Sequence, residues 1–227
     1  MLDAGAKVYA LDMSSAVDAC WRTNGPHTNL SLVQADIYHI PHRVEFFDRI
    51  FCFGVLQHTP DPRQAFLSLI KFLRPGGKIA IDCYVKSRRL NRWTAKYLWR
   101  PVTTRLPTQT LFKIVEWYIP KWLPIDNRLA AIPKVGTMLV GIIPCWNYTG
   151  MLPLSTDQIT QWAILDTFDA LGAKYDSPQS CVQVRAWFDE AGLTDVRVGA
   201  GSNGIIGSGL KPLNDDAIPR ADKIADS

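Results

Sequence analysis

Two short apolar runs in this chain each lead to a carboxylate. Val8-Tyr9-Ala10-Leu11-Asp12 reads as a strand closing on an acid, and Leu30–Val33 leads to Asp36-Ile37. Ligands bind at the carboxyl edge of an open parallel sheet. A carboxylate there can accept both hydroxyls of a ribose, each charge-assisted bond contributing about 1.5–3 kcal/mol. Asp36 beside Ile37 pairs an acceptor with an apolar side chain, which suits the edge and face of an adenine. A strand-end Asp taken alone serves equally well as a plain helix cap.

Other candidate patterns lose their chemistry on inspection. Gly199-Ala200-Gly201-Ser202-Asn203-Gly204 matches a phosphate-binding loop in letters, but such a loop must open a helix. Ile205-Ile206-Gly207-Ser208-Gly209 cannot sustain one, so a hairpin turn is expected. In His39-Ile40-Pro41-His42 the proline breaks the helix that would align the two rings, and no third ligand is near, so no metal is expected. The five cysteines are scattered and include no C-x-x-C pair, which argues against zinc or a disulfide framework and for a reducing cytoplasm. Asn147-Tyr148-Thr149 is a glycosylation sequon only in a secreted protein.

The elements that must position Asp12 and Asp36 alternate. The strand Lys7–Leu11 is followed by a helix over Ser14–Thr23 with Ser14 or Ser15 as N-cap, then by the strands Leu30–Val33 and Arg49–Val55. Asp61-Pro62 opens a helix carrying Ala65, Phe66, Leu69, Ile70 and Leu73 at helical spacing; Arg74-Pro75-Gly76-Gly77 stops it before the strand Lys78–Tyr84. This order predicts an α/β fold with a parallel sheet covered on both faces. From Val85 to Ser177 the rhythm breaks, and helices are expected at Leu90–Trp99, Thr110–Tyr118 and Thr156–Leu171. The pattern returns with a helix over Gln179–Ala191, capped by Gly192, and strands at Asp195–Val198 and Gly204–Ile206. The expected organisation is therefore an α/β core from 1–84 and 179–211, a mainly helical insertion or cap over 85–178, and a mobile tail from 212–227.

At 227 residues, 47% hydrophobic and 20% charged, the chain can bury a sizeable core, and bulk disorder is excluded. No apolar run is long enough for a transmembrane helix, and the opening residues do not form a signal peptide. The net charge of +4 is unevenly spread: between Tyr84 and Pro124 stand Lys86, Arg88, Arg89, Arg92, Lys96, Arg100, Arg105, Lys113 and Lys121 against Glu116 alone.

The run Phe47-Asp48-Arg49-Ile50-Phe51-Cys52-Phe53-Gly54-Val55-Leu56-Gln57-His58-Thr59-Pro60-Asp61-Pro62 resembles the fourth-strand signature of class I S-adenosylmethionine-dependent methyltransferases. Leu73-Arg74-Pro75-Gly76-Gly77-Lys78-Ile79 is similar to that family's next helix-to-strand turn. Val184-Arg185-Ala186-Trp187-Phe188-Asp189-Glu190-Ala191-Gly192-Leu193 resembles its last helix and the entry to an antiparallel strand pair. The resemblance covers about half the chain, with the blocks in the family's order.

The resemblance implies a Rossmann-like sheet with S-adenosyl-L-methionine as cofactor. Asp12 would hold the ribose hydroxyls with Met13 packing on the adenine, while Asp36 and Ile37 would read the adenine's amino edge and face. Phe53 and Gly54 would line the methionine part through their backbone, with His58 just beyond. Gln57 departs from many relatives, which place a second histidine there. The family's first strand and glycine-rich loop should precede Asp12, yet only eleven residues do, and Leu2–Ala6 reads as the last turn of the following helix with Gly5 as its left-handed cap. The expectation is thus an N-terminally truncated member whose sheet lacks its first, central strand.

Methyl transfer from a sulfonium is an in-line displacement that needs alignment and exclusion of water more than covalent help. No triad is expected, and His58 is the candidate base if an acceptor hydroxyl must lose its proton. The insertion would form the pocket or lid for a small-molecule acceptor, aromatic or lipid-like. Its basic and aromatic residues over 86–122 would also suit peripheral membrane contact. A solvated basic face over a Trp-rich core accounts for them as well. No nucleic acid is expected, since the basic residues are confined to one segment and no RNA-binding motif accompanies them. The alternatives are a catalytically silent relative acting as a binding or membrane-docking module, and a nicotinamide-dependent dehydrogenase. The dehydrogenase would share Asp12 but leave the Phe53–Pro62 block and the terminal hairpin unexplained.

Overall fold

The computed structural model describes residues 1–87, 96–133, 136, 140 and 142–213. The chain forms two compact units, one from Met1–Val85 with the chain from Ser177 onward, the other Lys86–Asp176.

In the first unit a turn of 3-10 helix, Leu2–Ala4, closes on Gly5 at φ 77°, the left-handed cap expected there. Strand β1 (Val8–Asp12), helix α1 (Ala16–Asn24) and strand β2 (Leu30–Gln34) follow, and the two strands pair in parallel with Asp12 opposite Gln34. Ser15 occupies the N-cap position of α1 without a side-chain cap; Ser14 Oγ does that work by accepting from Ala16 N–H at 3.1 Å. Strand β3 (Phe47–Cys52), helix α2 (Pro62–Ile70) and strand β4 (Leu73–Cys83) complete the first half of the unit. Helix α2 begins where expected, with Asp61 accepting from Gln64 N–H and Pro62 in its first turn, where a missing N–H costs nothing.

Two segments differ from the sequence expectation. The third strand ends at Cys52, not Val55, because Gly54 at φ 70° turns the backbone out of the sheet and Leu56–His58 forms a turn of 3-10 helix. β4 begins at Leu73, which the helical spacing places in the preceding helix, so Arg74-Pro75-Gly76-Gly77 is not a break before the strand but part of it. Gly76 N–H donates to the Lys211 carbonyl and Lys211 N–H to the Gly77 carbonyl, so the segment's backbone is paired across the sheet rather than looped into water.

The strands form two sheets. β1 and β2 make one; the other has the order β3-β4-β6-β5, with β3 and β4 parallel and the last two strands antiparallel. Among the described residues no ladder joins β1 to β3. Packing registers the break. No residue of β1, α1 or β2 is buried, whereas β4 buries every second side chain over Gly77–Cys83. An aromatic cluster ties the edge strands at their starts: the Tyr9 ring lies 5.3–5.5 Å from the rings of His42, Phe46 and Phe47, edge-on to each.

The chain re-enters this unit with helix α6, spanning Cys181–Glu190 and opened by a Ser180–Gln183 capping box. Strands β5 (Thr194–Gly201) and β6 (Gly204–Leu210) pair antiparallel and run longer than expected, because their ladder continues along β4. The phosphate-loop look-alike is thus a hairpin: Gly199 and Gly201 lie in β5, and at Gly204 (φ 126°) a Cβ would stand 2.6 Å from the Cys83 carbonyl oxygen. Phe66, Leu73, Ile79, Ile81, Val184 and Phe188 form the centre of the core, and Ile37 packs against it.

The second unit contains α3 (Lys96–Thr103), α4 (Thr108–Ala130) and α5 (Thr156–Gly172). The first insertion helix extends past the expected end at Trp99, to Thr103; the beginning of the expected range Leu90–Trp99 lies outside the described residues, as does the tail from residue 214. The second runs well past Tyr118, through Pro120 and Pro124. Both prolines lie on the exposed side of α4, where water can serve the carbonyls that their missing N–H groups leave free. Leu111, Val115, Ile119 and Leu123 of α4 pack on Ile159, Ala163, Ile164 and Leu171 of α5. α5 opens with a Ser155–Gln158 capping box.

Candidate functional site

Asp12 ends β1 with its side chain exposed. Its Oδ1 accepts from both the Ser14 N–H and the Ser14 hydroxyl, each at 2.7 Å, so the carboxylate orders its own loop. Among the described residues nothing donates to Oδ2. Asp36 is built alike: Oδ1 accepts from Tyr38 N–H at 3.0 Å, and Oδ2 lies 3.8 Å from His39 Nδ1. The two loops are stitched side by side, since Ala35 N–H donates to the Asp12 carbonyl at 2.9 Å and Gln34 Nε2 to the Met13 carbonyl at 3.1 Å. The capping role and a ligand role therefore coexist on different oxygens of Asp12. Met13 is 71% exposed, an apolar side chain held out by a pinned backbone. Ile37 has a divided position: it packs against the core, and its carbonyl accepts from Ser68 Oγ at 2.8 Å.

At the end of β3, Phe53 is half exposed and Gly54 has open space where a Cβ would stand. Gly54 N–H donates to Oδ1 of Asp82. This backbone donor is thus already used by a carboxylate within the protein. Asn203 Nδ2, on the β5–β6 turn, approaches Asp82 Oδ2 at 3.4 Å. His58 is half-buried with its ring edge-on to Tyr84 at 5.5 Å, and its N–H donates to the Val55 carbonyl at 2.9 Å. Gln57 is fully buried; its carbonyl accepts from Ser177 N–H at 2.9 Å, and its side-chain amide has no partner among the described residues.

Asp82, Tyr84, Asn203 and the buried Gln57 amide were not singled out as site residues from sequence. Asp82 carried a readable signal, an acid inside the apolar run Ile79-Ala80-Ile81-Asp82-Cys83. Burial, reinforced by the charge of Asp82, pushes the neighbouring Cys52 thiol up to about 12. That thiol is therefore no nucleophile.

The residues present suit a nucleoside: two carboxylates at adjacent strand ends, one with a free oxygen, and an exposed apolar side chain beside them. Residues 1–81 match the family model for a methyltransferase domain. Over 186 residues, 82% of this chain, the sequence is 35% identical to methyltransferase GfsG of Streptomyces halstedii. A stretch of 49 residues, 22% of this chain and 16% of the relative, is 43% identical to a tRNA U34 carboxymethyltransferase of Nautilia profundicola. A Bordetella parapertussis structure, described as that of a possible exported protein, is alike in fold, with a TM-score of 0.50 at 16% identity over 92% of this chain and 54% of that one. The chain spans 59% of the length of GfsG and 16% of the Nautilia protein. The methyltransferase-domain match thus covers both strand-end carboxylates and the whole Phe47–Pro62 block, the segments in which this chain is similar to S-adenosylmethionine-dependent methyltransferases.

Proposed function

We propose that this chain serves S-adenosylmethionine-dependent methyl transfer to a small-molecule acceptor. The observation that carries the reading is Asp12, whose one carboxylate oxygen is fixed by Ser14 while the other faces no protein donor among the described residues. A carboxylate pre-oriented in this way loses little rotamer entropy on accepting ribose hydroxyls. Met13 covers the adenine, and Asp36 and Ile37 flank its edge. Phe53 and the open floor at Gly54 shape the approach to the sulfonium. The cofactor, when bound, supplies an activated methyl group.

The chain's own task is to align an acceptor and exclude water. His58, held against Tyr84, accepts a proton where the acceptor nucleophile is a hydroxyl. The unit Lys86–Asp176 supplies the acceptor cap. Its exposed Trp99 and Trp162 favour an aromatic or lipid-like molecule, and its basic and aromatic surface favours contact with a membrane. The five free cysteines, three of them buried, suit a cytoplasmic protein.

Calorimetric titration with S-adenosylmethionine tests the reading. Micromolar binding, about −8 kcal/mol, that is lost in Asp12→Ala supports it. A folded protein that takes up no cofactor at millimolar concentration, or an Asp12→Ala variant that binds as well as the parent, refutes it.

A further inference from the structure

Helix α4 has two faces of opposite character. Leu111, Val115, Ile119, Leu123 and Asp126 are buried against the second unit's own core. On the other side, Lys113, Trp117, Arg128, Lys121, Ile114 and Ile125 follow one another around an arc of about 120° at 3.6 residues per turn. All six are exposed. Trp117 stands out at 67% exposure, with Ile114 and Ile125 at 44% and 43%. Thr110, Lys113, Ile114 and Trp117 line a shallow groove on this side.

The charge on this arc is one-sided. Its three cations include no carboxylate among them, Glu116 lies off its edge, and Asp126 is turned into the interior, where it accepts from Asn147. Among the described residues no acid pairs with Lys113, Lys121 or Arg128. Lys121 Nζ instead lies 3.8 Å over the Trp117 ring and donates to the Trp117 carbonyl at 3.2 Å. That holds the indole outward with a cation at its side rather than folded onto the helix.

We propose that this face of α4 docks on an anionic lipid surface, with Ile114, Trp117 and Ile125 entering the headgroup boundary while Lys113, Lys121 and Arg128 meet the lipid charges. This narrows the membrane contact proposed above to one helix face and does not depend on cofactor binding. An indole interleaved with aliphatic side chains and flanked by lysines suits the interface between headgroups and acyl chains. Each cation adds roughly fivefold to partitioning onto an acidic bilayer. No helix among the described residues is long and apolar enough to cross a membrane.

The test is co-sedimentation of the full chain with vesicles of phosphatidylcholine alone and of phosphatidylcholine with phosphatidylglycerol. The proposal expects binding only to the acidic vesicles, lost on raising the salt. It expects the double variant Lys113→Gln/Lys121→Gln to weaken binding by about tenfold or more, and Trp117→Ala to weaken it comparably. Circular dichroism confirms that both variants fold, and the calorimetric cofactor titration, unchanged in both, separates this result from the fate of the methyltransferase reading. Absence of vesicle binding overturns the proposal. So does equal binding to neutral vesicles, equal binding by the variants, or release from the vesicles by an RNA oligonucleotide at equal charge concentration.

Discussion

Asp82 of β4 reaches across to β3 and accepts the backbone N–H of Gly54. The turn that follows β3 is thereby fastened to the neighbouring strand just where the chain leaves the sheet. Hydrogen bonds to a charged group contribute about 1.5–3 kcal/mol, so Asp82→Ala is expected to destabilise by that amount. Asp82→Asn, whose amide oxygen still accepts, should lose less than half as much. Urea unfolding of the three proteins gives the ranking, and hydrogen exchange at the Gly54 amide should rise in the alanine variant only. Equal stability of alanine variant and parent would show that the bond is not formed in solution.

The inner face of β6 carries glycine at positions 207 and 209 because α6 lays a phenylalanine across them. A Cβ at Gly207 or Gly209 would stand 2.9 Å from the Phe188 ring, and that ring is fully buried. Overpacking of this kind costs about 1–3 kcal/mol, so Gly209→Ala should lower the unfolding free energy by that much. The companion Phe188→Leu should make the second substitution less damaging. Additive losses in the double-mutant cycle would contradict the contact.

Thiol reactivity should divide the cysteines by their surroundings. Burial pushes both Cys52 and Cys83 up to about 12, with the charge of Asp82 adding to each. A free thiol ionises near pH 8.5, so at neutral pH these two carry far less of the reactive thiolate. Exposed Cys181 should alkylate first and Cys20 next, with Cys52, Cys83 and the buried Cys145 modified only after denaturation. Peptide mapping after a timed iodoacetamide pulse reads the order; early labelling of Cys83 would mean that the β4–β6 region opens.

Lys96 is buried and paired with buried Asp176. Burial pulls its pKa below the ordinary 10.5, and the contact with Asp176 pushes the other way without overcoming it. The unfolded chain therefore binds this proton more readily than the folded one in the window just below 10.5. Below the folded pKa the cost of burying the charge is borne in full, and it is relieved as pH rises through that value. The stability of the parent relative to Lys96→Met should accordingly rise as pH climbs toward 10.5. Paired chemical denaturation across that range measures it, and a flat or falling difference would reverse the assigned balance.

Much of this molecule was legible along the chain because the signals are local. Asp61-Pro62 dictates a helix start whatever surrounds it, since an Asp side chain caps and a proline lacks the donor that a first turn cannot use. Ser180 with Gln183 does the same for α6. The alternation of apolar runs and the strand-end acids identified the α/β half, and Gly5 took the left-handed conformation that its place predicts. Ser202-Asn203 between two glycine-bearing strands was readable as a hairpin because the residues after it could not hold a helix.

Other features depended on residues far apart in sequence. Arg74–Gly77 looks like a loop in isolation and becomes strand only because Lys211, well over a hundred residues later, supplies and accepts its hydrogen bonds. Pro120 and Pro124 should end a helix, yet α4 continues because its buried face is held against α5 and its prolines face water. Gly54 was singled out for its backbone, but that its N–H is taken by Asp82 follows from β3 and β4 being neighbours. The sequence by itself thus determined where most helices and strands begin and where two carboxylates end adjacent strands, because capping, turn and periodicity signals act within a few residues. Only the tertiary structure decided which backbone donors and side-chain oxygens remain free for a ligand, because that depends on which strands and turns become neighbours.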